Sequence, residues 1–338
     1  MSTLRIGVAG AGRAGALHAR NLALVPGAEL ACLIDADPST AEQLAAECGG
    51  VPVVADLGEA TALDGLVIGA PTFAHRELAV DAAAAGLHVF CEKPMALTVA
   101  DCDEMIAAHE RAGTILQIGF VRRFRTEFIE AARRIAAGDI GEPMVVKSLT
   151  RGPGLPPAWA HELERSNGML AEVNSHDFDC VAWLAGSPIE RVYAETANFK
   201  GADRGVEAED FYDNAVVSLR FESGAIGTID GTCPADYGYD ARAEVLGSEG
   251  LLVIGEVAGM SLLEARDRET GTVRPISRTW PERFGDAYRA ELAGFAEAIA
   301  GGGTPAVGGA EGRAAVAAVR AANRSWLEQR PVAITEEL

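Results

Sequence analysis

Three residues in the segment GMLAEVNSHDFDCVAWLAG, residues 168–186, carry groups able to move a proton: Glu172, His176 and Asp179. Read as one amphipathic helix, the segment sets Glu172 and His176 at i and i+4, and His176 and Asp179 at i and i+3, so all three project from one side. Val173, Phe178, Val181 and Leu184 face elsewhere and supply the apolar contacts, so the polar stripe is not needed for packing. A histidine flanked by carboxylates titrates near neutral pH and keeps an orienting partner, which suits a general acid or base. The plainer alternative is a solvated helix face with ordinary i, i+4 pairs. Asn174 falls outside the stripe and takes either a capping or loop role or an added polar contact.

A second candidate is Lys93, next to Pro94 in CEKP. It follows a strand-like run, as does the loop GAPTFAH at residues 69–75, so both loops lie at strand C-termini, the side on which open parallel sheets bind ligands. A lysine there can hydrogen-bond a substrate hydroxyl and, as a cation, favour an alkoxide while a proton leaves. An isolated Lys-Pro pair would be an ordinary surface turn; its position favours chemistry.

These groups need a scaffold, and the first third of the chain supplies its rhythm. LRIGVAG, ELACLID, VPVVA, GLVIGA, HVFCEK and TILQIGF are short apolar, β-branched runs, mostly separated by helical patterns. Such alternation predicts a doubly wound parallel sheet. Its first turn, GAGRAG, places Gly10, Gly12 and Gly15 as GxGxxG between a strand and a helix, with Asp35 about twenty residues further on. The glycines let the backbone approach a pyrophosphate, the helix N-terminus offers it unpaired N–H groups, and Asp35 accepts hydrogen bonds from an adenosine ribose. The same carboxylate repels a 2′-phosphate, so NAD is expected as cofactor over NADP. Arg13 in the loop is the counter-argument. The expected cofactor contacts are Gly10, Gly12, Arg13, Ala14, Gly15 and Asp35 from the first turn, and Ala70, Pro71, Thr72 and His75 from the second loop. Glu92, Lys93, Pro94 and Gln117 complete the set.

Composition removes other functions. The net charge of −20 repels a phosphate backbone, which argues against nucleic acid. No apolar run approaches bilayer length and the N-terminus lacks a secretory pattern, so a soluble cytoplasmic protein is expected. The six cysteines show no CxxC pair and no zinc spacing, and no metal is expected. At 338 residues the chain is expected to form two domains, 1–121 for the dinucleotide and 122–338 for substrate binding and oligomerisation. In the second, a helix stopped by Gly138 and the strand MVVKSLTR precede the opening segment. IERVYAETANF, YDNAVVSLRF, AIGTIDGT, ARAEVLGS, GLLVIGE and GMSLLEARD then read as one large, open, mostly antiparallel sheet, and two alanine-rich helices near 286–300 and 309–328 end the chain. The expected class is therefore α/β followed by α+β. The uncovered sheet face points to a homo-oligomer, a dimer or tetramer.

With these features in place, the chain resembles the glucose-fructose oxidoreductase, inositol dehydrogenase and rhizopine catabolism family, and within it the inositol dehydrogenases. The likeness rests on the glycine loop with Asp35, PTFAH, CEKP, QIGFVRRF, GDIGEP, the HDFD segment, YGYDARAEVLGSEG and WPERFGDAYRAEL, and so spans nearly the whole sequence. It implies that Lys93 is the catalytic lysine, that His176 accepts the proton, and that Arg122, Asp179 and Tyr237 or Tyr239 contact substrate. Lys93 and Pro94, joined by a cis bond, would lie at the nicotinamide. The implied reaction oxidises a secondary hydroxyl of a cyclic polyol, with Glu172 orienting His176. The sequence departs from the family where Glu172 stands in place of an aspartate four residues before the histidine. A carboxylate longer by one methylene changes which ring hydroxyl is held, so a pyranose or sugar acid is the alternative substrate. A non-catalytic NAD-binding sensor is the remoter alternative; it would have no need of Lys93, Glu172 and His176 together.

Overall fold

The computed structural model describes residues 3–255 and 279–338. The chain forms two compact units, Met1–Phe124 with Asp286–Arg313, and Arg125–Gly285 with Ala314–Leu338.

In the first unit, β1 (Leu4–Ala9), β2 (Ala28–Ile34), β3 (Val53–Val54), β4 (Gly65–Ile68), β5 (His88–Glu92) and β6 (Leu116–Gly119) are separated by α1 (Arg13–Leu22), α2 (Pro38–Glu47), α3 (His75–Ala84) and α4 (Val99–Ala112). Every pair is parallel and the order is β3-β2-β1-β4-β5-β6. The expected doubly wound sheet is thus observed, with all six runs as strands. Strand order reverses between β1 and β4, and the crevice at that reversal is where such sheets take a dinucleotide.

The second unit opens with α5 (Thr126–Ala136), stopped by Gly138 at φ +79°. Then come β7 (Pro143–Arg151), α6 (Leu163–Ser166), α7 (Gly168–Glu172), α8 (Ser175–Ala185), β8 (Ile189–Ala197), β9 (Asn214–Phe221), β10 (Ile226–Thr232), β11 (Asp240–Gly247) and β12 (Leu251–Ile254). The chain ends with α9 (Trp280–Gly301), α10 (Gly309–Glu328) and β13 (Val332–Ala333). The seven strands run β12-β11-β7-β10-β9-β8-β13. All neighbours are antiparallel except β7 and β10, which pair in parallel. This mixed pairing has a simple cause. β10 returns from β9 through a tight turn and lands beside β7, from which three helices and two strands separate it, a connection long enough for either direction. The run GMSLLEARD lies outside the described residues.

Burial alternates along these strands. Val146, Ser148 and Thr150 of β7 and Ala215, Val217 and Leu219 of β9 point inward, and α8 packs on that face. The opposite face leaves Val216, Ile226, Leu246 and Val253 exposed.

Packing does not follow a linear division at 121/122. Leu292, Phe295 and Ala296 of α9 join the core formed by Ile6, Val8, Leu33, Val67 and Phe90. Their i, i+3, i+4 spacing gives the helix an apolar stripe that covers the nucleotide-domain sheet, so a late segment returns to the first unit. All six cysteines are free thiols. Among the described residues, no helix is long and apolar enough to cross a membrane.

Candidate active site

The glycine turn is built by close backbone approach. Gly10 has φ +90°, and a Cβ on it would lie 2.6 Å from the Ala70 Cα; a Cβ on Gly15 would lie 1.7 Å from the Gly10 carbonyl oxygen. These two glycines are demanded by the protein itself, since they seat α1 against β1 and the loop after β4. Gly12 differs: its φ is −68° and a Cβ would meet no heavy atom within 4 Å. Neither strain nor packing calls for glycine there, so its smallness answers to something outside the chain. It sits at the α1 N-terminus, which has no side-chain cap bond and no acid in its first turn. That is the cradle a pyrophosphate fills. The exposed Arg13 adds a cation beside it. Asp35, just past β2, accepts from the Ala11 N–H at 2.7 Å and the Asp37 N–H at 2.9 Å, which holds its carboxylate beside the glycine loop as an NAD ribose requires. The residues present fit NAD.

At the next strand ends, Lys93 is half-buried and its bond to Pro94 is cis, as is Cys233–Pro234. The Lys93 N–H donates to Glu92 Oε2 at 3.1 Å, and Glu92 Oε1 lies 2.6 Å from His18 Nε2. Three of the expected cofactor contacts also bond within the protein. His75 is buried with Nε2 on the Ala70 carbonyl and Nδ1 on the Pro94 carbonyl, at 2.8 and 2.9 Å, so it ties the two strand-end loops together. Burial pushes its pKa below the ordinary histidine range. Glu92 is held as just described, and Gln117 Nε2 donates to the Glu291 carbonyl at 2.9 Å. Strand parity places Glu92 and Gln117 on the same face of the sheet, with Phe90. Arg122 follows β6 and is only 1% exposed, so its charge is met within the protein rather than by water.

In the second unit the opening segment is not one helix. α7 ends at Glu172 and α8 begins at Ser175, with Asn174 at φ −95° and ψ 0° between them. Glu172 and His176 thus lie on either side of the break, while the i, i+3 relation of His176 and Asp179 falls within α8. Asn174 causes the change. Its side chain turns inward, and a Cβ on Gly231 of β10 would lie 2.2 Å from its Oδ1, so that glycine makes the room. Its carbonyl accepts from the N–H groups of Asp177 and Phe178 at 2.8 and 3.0 Å and so starts α8 afresh. His176 and Asp179 are 7% and 4% exposed, which removes the solvated-face alternative, while Glu172 is half-buried at the α7 end.

Asp177 is a residue that sequence reasoning passed over. It is fully buried and accepts from Ser148 Oγ at 2.5 Å, Thr150 Oγ1 at 2.7 Å and Asn174 Nδ2 at 2.8 Å. The first two project from the inner face of β7, so this carboxylate fastens the helix that carries His176 to the sheet beneath. The available signal was MVVKSLTR itself, which places hydroxyls at alternate positions on a face that ought to be apolar. Replacing Asp177 with alanine leaves three buried donors without their acceptor. A loss of roughly 3 kcal/mol in urea-unfolding free energy is expected, together with lowered turnover. Unchanged stability would remove its anchoring role.

Tyr237 is half-buried and donates to Asp240 Oδ2 at 3.1 Å; burial, then the Asp240 charge, pushes its pKa up to about 12. It remains a protonated donor, not a base. Tyr239 is buried, edge-on to Phe284 with centroids 6.0 Å apart.

The arrangement offers a dinucleotide cradle with a lysine at the neighbouring strand end in one unit, and a buried histidine with acids in the other. The chain as a whole resembles known proteins. Residues 4–120 match an oxidoreductase family with an NAD-binding Rossmann fold, and residues 128–253 match the GFO/IDH/MocA C-terminal domain. The chain belongs to the GFO/IDH/MocA oxidoreductase family. Among its relatives, the myo-inositol 2-dehydrogenase of Thermotoga maritima is 34% identical over 98% of this chain and 99% of its own length. The scyllo-inositol 2-dehydrogenase (NAD(+)) of Bacillus subtilis is 35% identical over 90% of this chain and 88% of its own. The crystal structure of scyllo-inositol dehydrogenase from Lactobacillus casei with bound NAD(H) and scyllo-inositol superposes with a TM-score of 0.87 at 25% identity, covering 99% of this chain and all of that one. Within the GFO/IDH/MocA family, the glycine cradle and Asp35 thus belong to an NAD-binding domain of an oxidoreductase.

Proposed function

We propose that the protein is an NAD-dependent dehydrogenase that oxidises a secondary hydroxyl of a cyclic polyol, of the myo- or scyllo-inositol kind, to a ketone. The observation that carries this reading is near full-length similarity to inositol dehydrogenases in a chain that also keeps Lys93 at a strand end and a buried His176 on an anchored helix.

NAD, when bound, supplies the hydride acceptor. The hydride leaves the carbinol carbon as the hydroxyl proton leaves its oxygen, so the chain must provide a base. His176 takes that proton on a ring nitrogen. Lys93 donates a hydrogen bond to the same oxygen and stabilises the negative charge that grows on it. Glu172 and Asp179 hold His176 and neighbouring ring hydroxyls, with Arg122 and Tyr237 or Tyr239 as further contacts of the polyol. Fixing several hydroxyls is what aligns one C–H bond for transfer.

Glu172 favours a second reading, a pyranose or sugar acid as substrate. It stands at the end of α7, just before the backbone break, so an extra methylene shifts its carboxylate without disturbing α8. A panel of inositol isomers, aldopyranoses and sugar acids, followed by NADH absorbance, separates the two. Myo- or scyllo-inositol is expected to give the highest kcat/KM; turnover of sugars alone would overturn the cyclitol assignment. The exposed apolar residues on the outer face of the second sheet support a homo-oligomer. A monomeric mass in sedimentation of the same preparation would overturn the oligomer.

A further inference from the structure

Behind Lys93 lies a cluster that the reaction does not use. His18 of α1, Glu92 of β5 and Glu291 of α9 are buried, and their ring nitrogen and carboxylate oxygens lie within 4.8 Å of one another. Glu291 is 0% exposed and neither carboxylate oxygen has a hydrogen-bond partner. The surroundings are aromatic: the His18 ring lies edge-on to Phe90, with centroids 5.0 Å apart, and to Tyr288, with centroids 6.0 Å apart.

Two carboxylates this close in an apolar shell cannot both stay ionised. Glu92 is the one that keeps its charge, because its two oxygens meet His18 Nε2 at 2.6 Å and the Lys93 N–H at 3.1 Å. Burial outweighed by those bonds leaves its pKa lowered, while burial and then the Glu92 charge drive that of Glu291 well above the carboxylate range. A divalent ion is the competing occupant. It would need His18 Nε2 and Glu92 Oε1 as separate ligands, roughly 3 Å or more apart, whereas their 2.6 Å separation is that of a shared hydrogen bond.

We infer that Glu291 acts as a neutral carboxylic acid and is a positioning residue for Lys93, acting through Glu92. A neutral Glu291 leaves Glu92 as the single anion of the cluster, fixed between His18 and the Lys93 backbone. If Glu291 ionised, a second negative charge would compete for the same partners and loosen the turn that aims the lysine. The titratable groups facing it are His18 from α1 and Glu92 from β5; Gln117 of β6, bonded to the Glu291 carbonyl, is uncharged. The inference rests on the reading of Lys93 as a catalytic residue.

The test compares the wild-type holoenzyme with Glu291→Gln and Glu291→Ala. Glutamine copies the neutral acid and is expected to keep kcat within about two-fold, whereas alanine lowers kcat at least about ten-fold with little change in KM. In wild type, kcat falls on the alkaline side as Glu291 ionises; Glu291→Gln lacks that fall. Stability follows the same sign. A glutamate whose pKa is raised on folding costs the fold stability as pH climbs from the ordinary carboxylate value, about 4.3, to the raised one, so wild type loses stability relative to Glu291→Gln across that interval. Independently of activity, the infrared spectrum at about pH 8 should show a protonated-carboxyl band in wild type that Glu291→Gln lacks. Absence of that band, an alkaline limb unchanged by Glu291→Gln, or a stoichiometric metal ion retained by wild type and lost by Glu291→Gln would each overturn the inference. If Lys93→Ala keeps full turnover, the assignment of Lys93 fails instead, and the infrared and stability comparisons still report on Glu291.

Discussion

Replacing His176 with alanine is expected to lower kcat by roughly a hundred- to ten-thousand-fold, about 3 to 5 kcal/mol of barrier, and to leave NAD affinity within about two-fold. The size follows from what the residue does. Without a base at the hydroxyl, the proton must pass to water, and a helix that is buried on all but a few per cent of the His176 surface leaves little water to take it. The selectivity follows from placement: the cofactor cradle is made by Gly10, Gly12 and Asp35 of the first unit, and His176 belongs to α8 of the second. Turnover by stopped-flow NADH absorbance and NAD binding by fluorescence titration measure the two quantities on one sample. Equal losses in both would mean that His176 holds the fold and not the proton. Glutamine at the same position retains a polar group without a titrating ring, so it should be nearly as slow as alanine; near-wild-type turnover in that variant would remove proton transfer from this residue.

The parts of this protein that were legible in the sequence are those where local pattern and tertiary role coincide. β1, the glycine turn, α1 and Asp35 carry period, turn chemistry and spacing in one stretch of about thirty residues, and each appears where the pattern puts it. α10 spans Gly309–Glu328, as its alanine-rich pattern indicates. What the pattern could not show depends on residues distant in sequence. The break between α7 and α8 arises because Asn174 turns toward Asp177 into space left by Gly231, fifty-seven positions later. A helical periodicity that continues through such a residue carries no trace of that space. Asp177 looked like one more polar residue of HDFD, yet its partners come from β7. Glu291 sat unnoticed in an amphipathic helix because its partners, His18 and Glu92, lie about two hundred residues or more before it and meet it only once α9 returns to the first sheet. For the same reason the internal bonds of His75, Glu92 and Gln117, to the Ala70 and Pro94 carbonyls, His18 and the Glu291 carbonyl, carry no signature in the sequence.

The contrast between Gly15→Ala and Gly12→Ala separates the two demands placed on the glycine turn. Added methyl groups at helical glycines ordinarily stabilise by about 0.5 to 1 kcal/mol, through helix propensity. At Gly15 the sign reverses, because the new carbon would sit 1.7 Å from the Gly10 carbonyl oxygen, and that neighbour is backbone with no rotamer to change. Relief requires α1 to slide away from β1. Since α1 also carries His18 and presents the pyrophosphate cradle, the displacement reaches both the cofactor and the Glu92 contact behind Lys93. Gly15→Ala is therefore expected to lose about 3 kcal/mol or more of stability and at least roughly a hundred-fold in NAD affinity. At Gly12 the methyl meets nothing within 4 Å and φ is −68°, so the apoprotein should unfold within about 1 kcal/mol of wild type. Its NAD affinity should nevertheless fall more than about ten-fold, since the methyl occupies the room through which the pyrophosphate approaches the α1 N–H groups. Thermal unfolding of the two apoproteins and titration with NAD give all four values. Wild-type affinity in Gly12→Ala would show that the pyrophosphate lies elsewhere, and wild-type stability in Gly15→Ala would show that α1 is not held against β1 by the approach of these two glycines.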